Sequence, residues 1–297
     1  MKKTISLLLI FISVLAYSQE NDDFSQRLKA INTQSVTYYN VDGVDFSSQT
    51  YNYDFSEKSL KKIYKKFNIK DTDLKTKDES LPFNNLHVVK KQNITDNLTQ
   101  NNSYYFIEDN SKTITIIWFG YYHKPSEDFE KEYITRIINN TIPKNVFESM
   151  KIDSIDFAGR KIKLGNNCYW TNVNTVQCPY NGEMNWSVHK NIESAKTAIE
   201  NQFIITKNRG GIKVISEEQT AVIFEGTETT AKKVVFDFTG MKSLLAGMSG
   251  GKTLTVYYVA EKVRDNYVSC VMSFWNNDNI TKDGLAPLLE EVMQLKI

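Results

Sequence analysis

Histidine is scarce in this chain: 297 residues hold only His87, His123 and His189. None of the three has a carboxylate or cysteine at a spacing used for catalysis or metal binding. Cysteine is equally scarce, at Cys168, Cys178 and Cys270, so the paired Cys or His sets of a zinc site are not available. Net charge is missing too. The formal value is +1, and loss of Lys2 and Lys3 with a leader would leave 34 basic and 35 acidic side chains, a net of −1. Such a surface has no long-range field to gather nucleic acid or acidic polymers. No run beyond residue 16 approaches the roughly 20 apolar residues a membrane-spanning helix needs.

What is present begins with an export signal. Lys2 and Lys3 precede the apolar run Ile5–Ala16, and Ala16-Tyr17-Ser18 supplies the small residues of a cleavage site before Gln19. With no cysteine at that point, a bacterial lipid anchor is not expected. Residues 1–18 read as signal peptide and the rest as a periplasmic or secreted chain.

The remaining 279 residues exceed what one core usually organises. A weak echo divides them: Val41-Asp-Gly-Val-Asp-Phe46 against Ile152-Asp-Ser-Ile-Asp-Phe157. Each half shows strands leading to a helix. Ser56 caps a first helix with Leu60, Ile63, Tyr64 and Phe67 on one side, and Asn191 caps a second with Ala195, Ile199 and Phe203. Strands at 85–93, 103–109 and 112–122 then lead to a helix from Ser126 to about Asn139. Strands at 212–225, 229–239, 252–262 and 266–275 lead to a closing helix over Thr281–Leu295, with Leu285, Leu288, Leu289 and Val292 inward. Consecutive strands pair antiparallel. The expected class is α+β: two tandem domains, 19–150 and 151–297, each an antiparallel sheet packed with helices.

In the second half, Val222-Ile-Phe-Glu-Gly226 is followed by Lys232-Lys-Val-Val-Phe-Asp-Phe238, Thr253-Leu-Thr-Val-Tyr-Tyr258, Val268–Trp275 and the closing segment, with Trp186-Ser-Val-His189 ahead of the helix. This succession resembles the PsbP-like fold over residues 151–297, and the first half would be its duplicate. The resemblance implies a sandwich with an antiparallel sheet between helices and a binding or accessory role, since the family is mostly non-enzymatic. The Cys-bearing segment 165–181 departs from that pattern.

Ala246-Gly-Met-Ser-Gly-Gly-Lys-Thr253 fits two catalytic patterns, a phosphate loop and the G-x-S-x-G elbow. Context argues against both. A phosphate loop opens a helix, whereas Lys252–Val263 alternates as a strand. A nucleophile elbow at Ser249 wants a histidine further on, and all three histidines precede it. The segment reads as a loop between strands, longer than the two to five residues usual for a hairpin. Its Met241, Leu244, Leu245 and Met248 either pack back on their own domain or form a contact surface.

Cys168 and Cys178, separated by turn-rich sequence in an exported chain, read as a disulfide, and Cys270, in an apolar strand, as a buried free thiol. Lys58, Lys61, Lys62, Lys65 and Lys66 line one helix face, more simply a solvated face than an anion site. Ile116–Tyr122 would offer aromatic platforms, although its alternation points to core. Asp42 and Asp45, like Asp153 and Asp156, sit at odd spacing and make no carboxylate pair. These readings lead to an exported non-enzymatic protein without cofactor or metal, acting through protein contact as a toxin-neutralising or envelope-complex factor. A glycan-binding accessory module is the alternative, suggested by the Tyr, Trp and Asn content, with an unrecognised hydrolase behind it.

Overall fold

The computed structural model describes residues 27–122, 126–238 and 251–296. The first half runs β1 (Lys29–Asn32), β2 (Thr37–Val41), β3 (Val44–Tyr51), α1 (Glu57–Lys66), β4 (Asn85–Thr95), β5 (Leu98–Glu108), β6 (Ile114–Tyr121), α2 (Glu127–Ile138) and β7 (Phe147–Glu148). Its strands form one sheet in the order β4-β5-β6-β3-β2-β1-β7. Side chains alternate across each strand, so β6 feeds both faces. Ile117, Phe119 and Tyr121 join Phe46 and Tyr133 under α2, while Ile114 and Ile116 join Leu60, Ile63 and Phe106 under α1. The aromatic run expected to be core on at least one face is core on both.

The second half runs β8 (Ser154–Phe157), β9 (Arg160–Lys163), β10 (Tyr169–Asn172), β11 (Thr175–Cys178), β12 (Gly182–His189), α3 (Ile192–Lys207), β13 (Ile212–Phe224), β14 (Thr227–Phe238), β15 (Thr253–Val263), β16 (Asn266–Trp275), α4 (Pro287–Glu290) and β17 (Met293–Leu295). Its main sheet has the order β10-β11-β12-β16-β15-β14-β13-β17, and β8-β9 stands apart as a hairpin. The wiring matches the first sheet: a hairpin, a helix, then a meander whose last strand returns beside the strand before the helix. Side-chain caps open all three long helices. Ser59 N donates to Ser56 Oγ, Phe129 N to Ser126 Oγ and Ser194 N to Asn191 Oδ1, each cap being worth about 1 kcal/mol.

Four expectations need correction. The two echoing hexamers hold different places, since Val41–Phe46 spans the β2–β3 turn, with Asp42 and Gly43 at positive φ, whereas Ile152–Phe157 runs up β8 to a separate turn at Ala158-Gly159. The closing helix is four residues long. Gly284 has φ +87° and Pro287 sits at the helix start, and beyond α4 the chain finds the open edge of β13, where Val222 pairs Leu295. Leu285, Leu288, Leu289 and Val292 are nevertheless all buried. Pairing is antiparallel except between β1 and β7, which run parallel. Helices cover both faces of the first sheet, but on the second only α3 lies on one face. The opposite face packs against β8-β9, Ile31 of β1 and the segment around α4.

The halves meet along a seam. Lys29 Nζ stands 3.9 Å over the Trp186 ring and donates to the Asp156 carbonyl at 2.9 Å. Trp170 Nε1 donates to the Ser149 carbonyl at 3.1 Å. The His189 ring comes so close to Gly43 that a Cβ there would stand 2.5 Å from its Cε1. Beyond the seam, Glu225 receives both Arg160 and Arg264 at 2.6 Å, and Arg264 also donates to the Ala158 carbonyl, clamping the β8-β9 hairpin to the main sheet.

Candidate functional site

The α3 side of the second sheet is not filled by its helix. Phe203 and Ile199 of α3 pack on Val234, Phe236, Val256 and Tyr258, and past the helix C-terminus a cavity of about 520 Å³ opens. Register explains its walls. On β12 the residues Met184, Trp186 and Val188 point to the opposite core, which sends Glu183 and Asn185 to the α3 side. Across from them on β16 stand Ser273 and Val271, paired with Glu183 and Asn185, and Trp275 follows on the same face. Phe238 at the end of β14 contacts the Trp275 ring, centroids 4.9 Å apart. Both rings are half-buried.

The polar groups of the wall are held in place. Gln202 of α3 donates to Asn185 Oδ1 at 3.2 Å, and Asn185 donates to Thr175 Oγ1 at 2.6 Å and Asn174 Oδ1 at 3.1 Å. Tyr258 lies buried beside Thr206, and burial pushes its hydroxyl up to about 12. Glu183 differs. No cation and no hydrogen-bond donor among the described residues engages its carboxylate, and burial alone holds its pKa above the usual carboxylate range. A cavity of this size, mostly apolar with a few fixed polar groups, has the make-up of a small-ligand site.

A second cavity of about 220 Å³ shares Glu183, Leu254, Ser273 and Trp275 with the first and continues to Gln177, Tyr180 and Asp278. Tyr180 is 62% exposed at its edge. Asp278 accepts the Trp275 backbone N–H at 2.8 Å, which fixes the start of that turn. The Cys168–Cys178 disulfide is formed, and Cys178 is part of this smaller wall.

Met241, Leu244, Leu245 and Met248, the residues singled out for contact, lie outside the described residues, as do Ser249 and His123. The described flanks of that segment, Phe238 and Gly251, both border the Trp275 ring. A Cβ on Gly251 would stand 2.8 Å from Trp275 Cε3, so close ring approach accounts for this glycine. The phosphate-loop reading fails in detail as well. The backbone N–H groups of Lys252 and Thr253 both donate to Asn276 Oδ1, at 2.6 and 3.0 Å, and a strand follows.

Cys270 is free and buried on the opposite face, its thiol pushed well up by burial. His87 hydrogen-bonds Ser103 at 2.7 Å and stacks on Tyr105, whose hydroxyl donates to buried Glu130. Among the described residues no three His, Cys, Asp or Glu side chains are grouped to hold a metal, and no helix is long and apolar enough to cross a membrane. Glu183, Asn185, Trp275 and Phe238 were missed by sequence reasoning. The available signal was the polar alternation Glu183, Asn185, Ser187, His189 on a strand with neighbours on both sides, which leaves polar groups facing a helix.

No protein-family model matches the chain, and no curated protein matches it. Among solved structures, the di-domain ARO/CYC StfQ from the steffimycin biosynthetic pathway aligns over 88% of this chain and 78% of its own, at 8% identity and a TM-score of 0.16. The di-domain ARO/CYC BexL from the BE-7585A biosynthetic pathway aligns over 89% and 80%, at 11% identity and a TM-score of 0.14. Superpositions this weak carry no argument about fold or function.

Proposed function

We propose that the chain is an exported, non-enzymatic binding protein of two tandem domains, 19–150 and 151–297, the second PsbP-like, and that it binds carbohydrate on the α3 side of its second sheet. One observation carries this reading: two joined cavities in which the half-buried Trp275 and Phe238 rings stand beside an unpaired carboxylate and anchored amides. A sugar ring presents a C–H face that packs on an aromatic ring and a rim of hydroxyls that need both donors and acceptors. Glu183, Asn185 and Gln202 supply those in one wall.

The protein-contact reading, as a toxin-neutralising or envelope-complex factor, would use Met241, Leu244, Leu245 and Met248. It draws support from the fact that the flanks of their segment border the same rings. Screening the oxidised mature chain on a glycan array, followed by calorimetry, separates the two. Trp275→Ala should weaken a glycan ligand at least about tenfold while leaving the melting curve cooperative. If no glycan binds and an envelope extract yields a stoichiometric protein partner sensitive to Leu244→Ser with Leu245→Ser, the carbohydrate reading is wrong.

A further inference from the structure

Glu183 is set apart from the other acids of the second sheet by its place in the cavity wall. Glu217, Glu218 and Glu228 on β13 and β14, and Glu225 in the turn between them, each have a lysine or arginine partner, while Asp237 and Glu261, which have none among the described residues, line neither cavity. Glu183 has none among the described residues, although its position in the wall costs it hydration. It also occupies a particular place, the wall common to both cavities, with the larger on one side and the smaller, edged by Tyr180, on the other. The C-terminal end of α3 reaches the larger cavity through Thr206, so the helix dipole adds negative potential there. Among the described residues Arg209 is the single cation in either lining; it is exposed and belongs to the larger cavity alone.

Resting on the carbohydrate reading, we propose that the joined cavities take an oligomer of amino sugars, one unit on each side of Trp275, with a free ammonium group paired to Glu183 at the junction. A half-buried carboxylate without a partner among the described residues is stabilised more by an incoming cation than by the N–H of a neutral amide. Two cavities that share the wall of Glu183, Leu254, Ser273 and Trp275 favour a ligand of at least two units over a single sugar.

The test is calorimetry on the oxidised full-length mature protein with glucosamine oligomers of one to four units, and with N-acetylglucosamine oligomers of equal length. The expected result is at least about tenfold tighter binding of the amine series, a gain from one unit to two, and loss of the preference in Glu183→Gln with the acetylated series unchanged. Raising salt from about 0.05 to about 0.5 M should weaken only the amine series in the unmodified protein, which serves if Glu183→Gln does not fold. Equal affinity for the two series, or a preference that survives in Glu183→Gln, overturns the ammonium assignment and leaves the carbohydrate reading standing. Binding of neither series overturns the amino-sugar assignment, and the glycan array then decides the carbohydrate reading separately.

Discussion

His189 shows how one side chain ties pH to the stability of the whole chain. It is 3% exposed, its Nε2 lies 2.8 Å from Ser269 Oγ, and its ring is pressed against Gly43. Burial lowers its pKa to about 4, against about 6.5 in an unfolded chain. Between those values the unfolded chain binds the proton and the folded one does not. The contribution is therefore fully present above pH 6.5 and is lost as pH falls toward 4, by about 3 kcal/mol at about 1.4 kcal/mol per unit. Urea unfolding at pH 7 and pH 4.5 should show this slope, and His189→Asn should remove it. Asp45 and Glu130, whose carboxyl pKa values burial raises, act in the opposite direction but cancel in the comparison of wild type with variant. A variant that keeps the acid-side loss would put its origin elsewhere. The local signals for such sites are thin in sequence: nothing in Trp186-Ser-Val-His189 announces that a glycine from the other half will sit on the imidazole.

At the scale of elements, the three long helices were legible because their signals are local. Ser56, Ser126 and Asn191 cap where apolar periodicity begins, and the long meander strands end at turn residues that stand in the chain itself. The closing segment was misread because Leu285, Leu288, Leu289 and Val292 keep a helical spacing while Pro287 and Gly284 set the backbone. The deciding partner, the edge of β13, lies about 70 residues away. β10 and β11 were missed for the same reason, their ladder being set by β12 rather than by their own composition. The strand reading of the terminus has a testable consequence. Met293 is 1% exposed and pairs Phe224 across the ladder, so Met293→Ala should cost about 2–5 kcal/mol. Equilibrium urea unfolding measures it, and a loss under about 0.5 kcal/mol would place the residue at a surface.

Across the whole molecule, the two sheets share one wiring, yet the face under α1 is filled by Ile63, Phe106 and Ile116 where the face under α3 is filled only in part, leaving a cavity past the end of the helix. The seam decides how far the halves are separable. A fragment of residues 151–297 retains every strand of the second sheet and the β8-β9 hairpin, but it loses Lys29 over Trp186, Ile31 from the core and the Ser149 carbonyl that Trp170 uses. It should unfold in one cooperative step at a lower urea midpoint than the full chain. Flat near-ultraviolet dichroism from the oxidised fragment would mean that the halves form a single core. The cavity itself was beyond the reach of the sequence, since its walls come from six strands and a helix that no periodicity brings together. The disulfide gives the cavity a dependence on compartment. Cys178 is both half of the staple that joins the edge hairpin and a piece of the smaller wall, so on the proposed export a chain still reduced in the cytoplasm carries an unfinished site. On that proposal oxidation is the step of maturation, and ligand is held only after delivery.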